Sequence, residues 1–375
     1  MSELINTRNM QADFRWQLLS GVSVLALCGT IGASDPALAD AADHPAVWIE
    51  LGGQLERVQN TQDAFTPPFS IKNMDAPFNV VPPSVLQRLP RQAFGGEGKI
   101  SFEPQGSGWS FSAAVRYGRS NNARHTHQQT TENVSRYITG IDYTVPVAHF
   151  NDTDASHHES HTILDFMAGR DVGLGLSSRG GKSTIGFGMR YVQFHTKSTA
   201  VLRSTPDFYY APNAKYNDRN HHHSYYARSD LSRNFSGIGP SLSVAGSSRL
   251  LGSGEAGELV FDWGANASVL FGRQKVVGTH KTGGNYFHGL GPSHLGARPF
   301  STYHQSTNIA RTHSVVVPNV GGFAGLSVRR ESAKVSFGYR ADFFLGAMDR
   351  GIDIRKTQSV GFYGPFATIS IGLGG

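Results

Sequence analysis

Charged side chains alternate with apolar ones in several segments of the chain. They are Glu50, Lys99, Glu103, Arg116, Asp165, Arg190, Asp262, Arg340 and Asp342, with Glu56 in the same pattern. Because successive side chains of a strand point to opposite faces, these charges would share one face, away from the apolar side. If that face lines the lumen of a membrane barrel, the charges would set which sign of ion enters. Alternatively, they pair with one another and fill a narrow barrel.

Histidines form a second group of interest, and the chain has 16 of them. Two clusters stand out: His157, His158 and His161 together with Glu159, and the run His221, His222 and His223. Imidazole binds zinc, copper and nickel well, so each cluster is a candidate metal site; the alternative is a polar loop without a metal. Near an ordinary pKa of about 6.5, outside histidines would also add positive charge to the rim in mild acid.

No motif indicates an enzyme. The sequence has no G-x-S-x-G elbow, no H-E-x-x-H helix and no phosphate-binding loop, so neither catalysis nor a cofactor is expected. The 34 Lys and Arg against 28 Asp and Glu give a net charge of +6, but no dense basic cluster points to nucleic acid. Modest basicity is compatible with an anion-preferring pore or with binding to lipopolysaccharide.

Residues 1–39 are typical of a secretory signal peptide. Arg8 and Arg15 precede an apolar run over residues 18–31, and Ala37-Leu38-Ala39 offers a cleavage site. The mature protein would be a single domain of residues 40–375. The one cysteine, Cys28, lies in the predicted signal, which suits export to an oxidising compartment.

Period-2 alternation predicts an all-β protein with about ten strands. One clear example is Trp109 to Tyr117, where apolar residues alternate with small or polar ones. The predicted strands span roughly residues 46–57, 93–103, 109–119, 163–175, 183–196, 235–249, 258–273, 318–329, 334–347 and 362–373.

The connections between these strands alternate in length. Short turns are predicted near residues 105–108, 178–181, 252–257 and 330–332, and long loops over 58–92, 120–162, 197–234 and 274–317. Short periplasmic turns, long extracellular loops and an even strand number are typical of an antiparallel transmembrane β-barrel of the outer membrane. A secreted β-sandwich is the alternative. Residues 137–147 also alternate, so they would either extend the barrel to twelve strands or form a hairpin above the membrane.

Aromatic residues near the strand ends predict membrane girdles. The predicted girdles contain Trp48 and Trp109 at the periplasmic side, and Tyr117, Phe194, Phe235, Phe271, Phe343 and Phe344 at the outer side.

Several short strings carry a family resemblance. They are Phe235-Ser236-Gly237-Ile238-Gly239-Pro240, Leu270-Phe271-Gly272-Arg273-Gln274, Gly338-Tyr339-Arg340-Ala341-Asp342 and Gly361-Phe362-Tyr363-Gly364-Pro365-Phe366. Over roughly residues 90–375 the chain resembles the pore-forming outer-membrane proteins related to the Legionella-type major outer-membrane protein. The resemblance implies a pore-forming barrel, although this chain lacks the cysteines common in that family.

The sequence therefore predicts a bacterial outer-membrane barrel that conducts small solutes passively and contacts outer-membrane lipid and lipopolysaccharide. The alternative is a non-conducting structural or adhesive barrel that acts through its His-rich surface loops. The solute and the oligomeric state are left open.

Overall fold

The computed structural model describes residues 47–59, 92–104, 107–138, 141–172, 182–210, 220–253, 257–289, 299–330, 332–351 and 354–373. All of them belong to one compact unit, His44–Gly375. The predicted signal peptide, residues 1–39, lies outside the described residues.

The described residues form ten strands. They are β1 (Val47–Gln59), β2 (Gln92–Phe102), β3 (Trp109–Ile138), β4 (Ile141–Asp171), β5 (Lys182–Tyr210), β6 (Asn220–Ser253), β7 (Gly257–Gly289), β8 (Pro299–Arg330), β9 (Ala333–Asp349) and β10 (Thr357–Leu373). In this part of the chain no helix is long and apolar enough to cross a membrane.

The strands close into an antiparallel barrel. Each strand pairs with its neighbours in sequence, and β1 closes the ring against β10 through pairs such as Leu51 with Ile369. Closure leaves no unpaired edge around the ring, which is what a sheet in hydrocarbon requires. The predicted all-β barrel of about ten antiparallel strands is confirmed. Residues 141–147 lie in the β3–β4 hairpin rather than in additional strands.

Alternation separates an apolar outer face from a polar inner one. On β9, Phe337 is 64% exposed whereas its neighbour Ser336 is 8% exposed, and on β2 Phe94 is 74% exposed next to Ala93 at 1%. Exposed apolar side chains recur on the outward face of other strands, for example at Leu51 and Leu242. Together they form an outward apolar band, which in outer-membrane-type barrels is the surface that faces lipid.

Six strands are much longer than the sequence predicts. Strands β3 to β8 contain 29 to 34 residues each, whereas crossing hydrocarbon takes about 9–11. The predicted loops 120–162, 197–234 and 274–317 are therefore mostly strand. The four predicted short turns fall largely outside the described residues, and β2 to β3, β4 to β5, β6 to β7 and β8 to β9 follow one another across them. A strand that extends beyond the lipid needs no apolar outward face. The distal parts of β3 to β8 therefore lack the alternation of apolar and polar residues from which a strand is predicted. Most of the predicted loop 58–92 lies outside the described residues.

Candidate functional site

Four charged side chains, named here the interior ion network, meet inside the barrel at the height of the apolar band. Arg116 of β3 donates from Nη1 to Oδ2 of Asp342 of β9 at 2.6 Å, and its Nη2 lies 3.9 Å from Oδ2 of Asp165 of β4. Arg190 of β5 donates to both carboxylate oxygens of Asp165, at 2.6 and 3.1 Å. Its Nη1 lies 3.7 Å from Oδ1 of Asp342. Because β3 and β9 are not neighbours, the network spans the lumen.

Two asparagines complete the surroundings of Arg190. Its Nη1 donates to Oδ1 of Asn266 at 2.7 Å and of Asn319 at 2.5 Å. Asn319 also accepts a hydrogen bond from Ser268 at 2.8 Å. The Arg190 side chain is only 5% exposed, and a buried charge is tolerated only when it is paired and hydrogen-bonded. Through these partners one guanidinium links β4, β5, β7, β8 and β9.

Further ion pairs flank the network. Arg340 of β9 pairs with Glu97 of β2, and its guanidinium lies over the ring of Phe366, 4.7 Å from the centroid. Nearer the short turns, Nζ of Lys334 lies 2.7 Å from Oδ2 of Asp262. Charged side chains on the inner face therefore form ion pairs with one another both in the ion network and on its short-turn side.

An interior aromatic layer, formed by Phe194, Phe235, Phe344 and Phe362, lies on the outer side of the ion network. These rings are between 0% and 3% exposed. The centroid of Phe194 lies 5.7 Å from Phe235, 4.9 Å from Phe344 and 5.4 Å from Phe362. Phe194 belongs to β5 and Phe344 to β9, which are not neighbours in the ring. The contact between them therefore crosses the lumen.

The connection between β9 and β10 is tied to the inner wall further out. Nη2 of Arg311 on β8 donates to the carbonyl of Gly351 at 2.9 Å, and Nη2 of Arg233 on β6 reaches the carbonyl of Arg350 at 3.4 Å. Oδ1 of Asp349 accepts hydrogen bonds from the backbone amides of Gly351 and Lys356, both at 3.0 Å. The described part of this turn is therefore held against the inner wall.

The structure separates the predicted histidine cluster of β4. His157, Glu159 and His161 are buried on the inner face, where Nε2 of His161 lies 3.2 Å from Oε2 of Glu56. His158 has the opposite parity and lies on the outward face, so it does not join His157 and His161 in one site. The predicted cluster of His157, His158, Glu159 and His161 is therefore divided between two faces, because these residues are strand rather than loop, and metal binding by the inner three stays a prediction.

Packing of His161 against β3 requires a glycine at position 118. A Cβ at this position would lie 2.6 Å from Oε2 of Glu56 and would overlap the ring of His161. The second predicted cluster, His221, His222 and His223, lies in β6 with its backbone paired to β5 and β7. The side chains of this run lie outside the described residues, so that metal site stays a prediction.

The predicted lumen residues fall into two groups. Arg116, Asp165, Arg190, Arg340 and Asp342 come together in the middle of the barrel, where each is in an ion pair. Glu50, Lys99, Glu103 and Asp262 lie toward the short-turn end, where Oε2 of Glu50 accepts a hydrogen bond from Ser370 at 3.0 Å and Lys99 is exposed. Their role in ion selection stays a prediction.

Half of the predicted outer girdle faces inward. Phe194, Phe235 and Phe344 form the interior aromatic layer, whereas Phe271 and Tyr117 are exposed on the outer face. The two predicted periplasmic girdle residues also lie on opposite faces. Trp109 is on the outward face of β3, whereas Trp48 shares the inward face of β1 with Glu50. The guanidinium of Arg329 lies 5.4 Å from the centroid of the Trp48 ring.

Sequence reasoning missed Glu97, Arg233, Arg311 and Asp349. Glu97 lies among glycines, where alternation carries little signal, and Arg233 and Arg311 lie in segments predicted to be loops. The sequence of β5 does contain a signal for the aromatic layer. Up to Tyr191 its apolar residues lie on the outward face, and from Val192 to Phe194 they lie on the inward face. This change marks the end of the lipid-facing band and the start of an interior core.

The imidazole of His158 is expected to titrate below the ordinary pKa of about 6.5. Partial burial lowers its pKa, and the positive charges of Arg119, His157 and Lys197 lower it further. The unfolded chain then binds the proton better, so this residue decreases stability as the pH falls through the unfolded pKa. An NMR titration assigned with His158→Gln would check this, and a midpoint at or above 6.5 would contradict it.

No protein-family model matches the sequence, and no curated protein matches it. Among solved structures, the chain is similar to the transport unit of the autotransporter AIDA-I from Escherichia coli, with 7% identity and a TM-score of 0.25. The similarity covers 94% of this chain and 98% of that one. The resemblance to the Legionella-type proteins stays a prediction.

Proposed function

We propose that the protein is an outer-membrane barrel that is closed to solutes at rest and acts as a structural or adhesive surface protein. The observation that carries this proposal is the contact of Phe194 with Phe344 across the lumen, at 4.9 Å between ring centroids. A solute moving along the axis would have to pass this contact and then the interior ion network. A passive porin instead keeps a permanent water-filled path, which is typical of barrels with more strands.

Opening the described interior would be energetically costly. Exposing each buried phenylalanine to water costs about 1.5–3 kcal/mol. Separating Arg190 from its partners would leave charges buried without compensation, which is a strongly unfavourable state. Because the aromatic layer lies directly beyond the ion network, both would have to move to clear a path.

The surface role is proposed for the outer parts of β3 to β8. These strands continue past the apolar band, and their outward side chains there are mostly polar, as at Asn121, Gln193 and Thr312. The barrel would hold this sheet in place while its exposed face meets the surroundings.

Lipopolysaccharide is the lipid partner that the outward cations favour. Exposed basic side chains follow residues of the apolar band on several strands: Arg57 after Leu55, Arg119 after Tyr117, and Arg273 and Lys275 after Phe271. Cations at this height would face the phosphate groups of the outer leaflet.

A passive pore is the second candidate. The inward position of Glu50, Lys99 and Arg116 favours it, because charged inner walls can select ions. It would require the aromatic layer to part.

Single-channel recording in a planar bilayer separates the two candidates. We expect the inserted full-length protein to show no discrete ohmic steps, because the aromatic layer and the ion network close its lumen. Heat-modifiable migration on a gel and protease protection in liposomes would establish that it is folded and inserted. Discrete steps whose reversal potential shifts in Arg116→Ala would overturn the proposal and support a pore.

A further inference from the structure

Two histidines and two aspartates meet on the outward face of the β3–β4 hairpin, beyond the apolar band. They are His125, His127, Asp152 and Asp154, named here the hairpin histidine site. Nε2 of His125 lies 3.2 Å from Oδ1 of Asp152, and Nδ1 of His127 lies 3.9 Å from the same oxygen. Nδ1 of His125 lies 2.7 Å from Oδ1 of Asp154. His125, Asp152 and Asp154 bring three ligand atoms within 4.8 Å of one another.

Strand register creates this site. His125 pairs with Asp154 and His127 pairs with Asp152 across the β3–β4 ladder. Residues two apart on a strand share a face, so all four side chains project to the same side. The site is therefore a property of the hairpin and not of a flexible loop.

Hydrogen bonds orient both imidazole rings toward one carboxylate oxygen. In neutral His125, the bond to Asp154 places the ring proton on Nδ1 and leaves the lone pair of Nε2 facing Asp152. In neutral His127, the contact of Nε2 with Oε1 of Gln129 at 3.3 Å leaves the lone pair of Nδ1 facing the same oxygen. With both rings in these neutral tautomers, three acceptors converge with no proton among them, and a cation would complete that arrangement.

The spacing of His125 and Asp152 fits a transition metal. Ligand atoms about 2.0–2.1 Å from a tetrahedral zinc ion lie about 3.3–3.4 Å apart. The 3.2 Å between Nε2 of His125 and Oδ1 of Asp152 is close to that value. Nδ1 of His127 lies 3.9 Å from that oxygen, so this ring, which is 49% exposed, has to move inward to bind the same ion. Oδ1 of Asp152 is also buried and has no hydrogen-bond partner.

We infer that the hairpin histidine site binds a divalent transition metal ion of the zinc, copper or nickel class. Nε2 of His125 and Oδ1 of Asp152 are the central ligands, Nδ1 of His127 joins them when its exposed ring moves in, and the remaining positions are filled by water or by a group on a partner. Asp154 and Gln129 hold the ligating rings, and a carboxylate such as Asp154 is a common partner behind a metal-bound histidine. This inference does not depend on whether the lumen conducts.

Isothermal titration of the folded full-length protein with zinc chloride tests the inference. Because the chain has 16 histidines, the tightest zinc equivalent is the relevant quantity. His125→Ala and Asp152→Asn should each lose this equivalent, and Asp154→Asn should weaken it by about 10–100-fold. Arg203, which lies opposite Asp152 on β5, brings a like charge, so Arg203→Ala should bind zinc more tightly. His304→Ala, an exposed histidine on β8, is the matched control.

Copper-induced NMR line broadening gives a second readout on the unaltered protein, which covers variants that fail to fold. The resonances around His125 and Asp152 should broaden at the lowest copper concentration. Broadening that appears first elsewhere, or a tight zinc equivalent that survives both His125→Ala and Asp152→Asn, would overturn the inference. The absence of any tight zinc equivalent in the unaltered protein would overturn it as well.

Discussion

Phe194→Ala is expected to lower the free energy of unfolding by about 3–5 kcal/mol, the range for deleting a large buried ring. Phe194 is 2% exposed and contacts three other rings of the interior aromatic layer. Its removal would forfeit the transfer free energy of the ring and leave a cavity between β5, β9 and β10. Urea unfolding of the inserted protein, followed by tryptophan fluorescence and by heat-modifiable migration, measures the change.

Phe337→Ala is the matched control. Phe337 is 64% exposed on the lipid-facing side of β9, where lipid chains fill the space that its ring leaves. This variant should lose only the transfer contribution, so its destabilisation should be clearly smaller than that of Phe194→Ala. Equal losses would mean that both rings have the same surroundings, which would contradict an aromatic layer inside the barrel.

The part of the barrel within the apolar band could be predicted from the alternation of apolar and polar residues. The segment from Trp109 to Tyr117 shows the reason, because lipid demands an apolar outer face while the inner face carries Ser110, Ser112 and Arg116. Two opposite environments impose period 2 on the sequence, and the ends of the alternating segments then mark the short turns.

The parts of β3 to β8 beyond the apolar band could not be predicted in the same way. Around His125 both faces of β3 are polar, so the residues show no period although their backbone is paired throughout with β4. A segment of this kind has the composition of a loop, and only the partner strand reveals it as strand. The hairpin histidine site was missed for this reason, since it depends on which residue of β4 faces each histidine.

The interior was predicted as a set of residues and not as a set of contacts. Arg116 and Asp342 could both be assigned to the inner face, but they are 226 residues apart in sequence. Their pairing depends on closure of the ring, which brings β3 opposite β9. The same closure turns Phe194 and Phe344 from presumed girdle residues into partners across the lumen.

Arg190→Ala is expected to destabilise the protein by about 3–5 kcal/mol, the range for breaking a buried ion pair. The substitution leaves Asp165 without its close partner, because the remaining cation, Arg116, approaches it only to 3.9 Å. It also removes the hydrogen bonds to Asn266 and Asn319. Arg190→Lys should recover little, since one ammonium cannot reach both oxygens of Asp165 and two amides in that geometry.

An exposed pair provides the control for Arg190→Ala. Nε of Arg228 lies 2.7 Å from Oδ2 of Asp230, and the Arg228 side chain is 49% exposed, so Arg228→Ala should cost only about 0–1 kcal/mol. The double variant Arg190→Ala with Asp165→Ala should lose much less than the sum of its two single variants, because each alone strands a buried charge. Additive losses would mean that the two groups do not interact. The ion network would then be a set of independently solvated charges, as in an open, water-filled lumen.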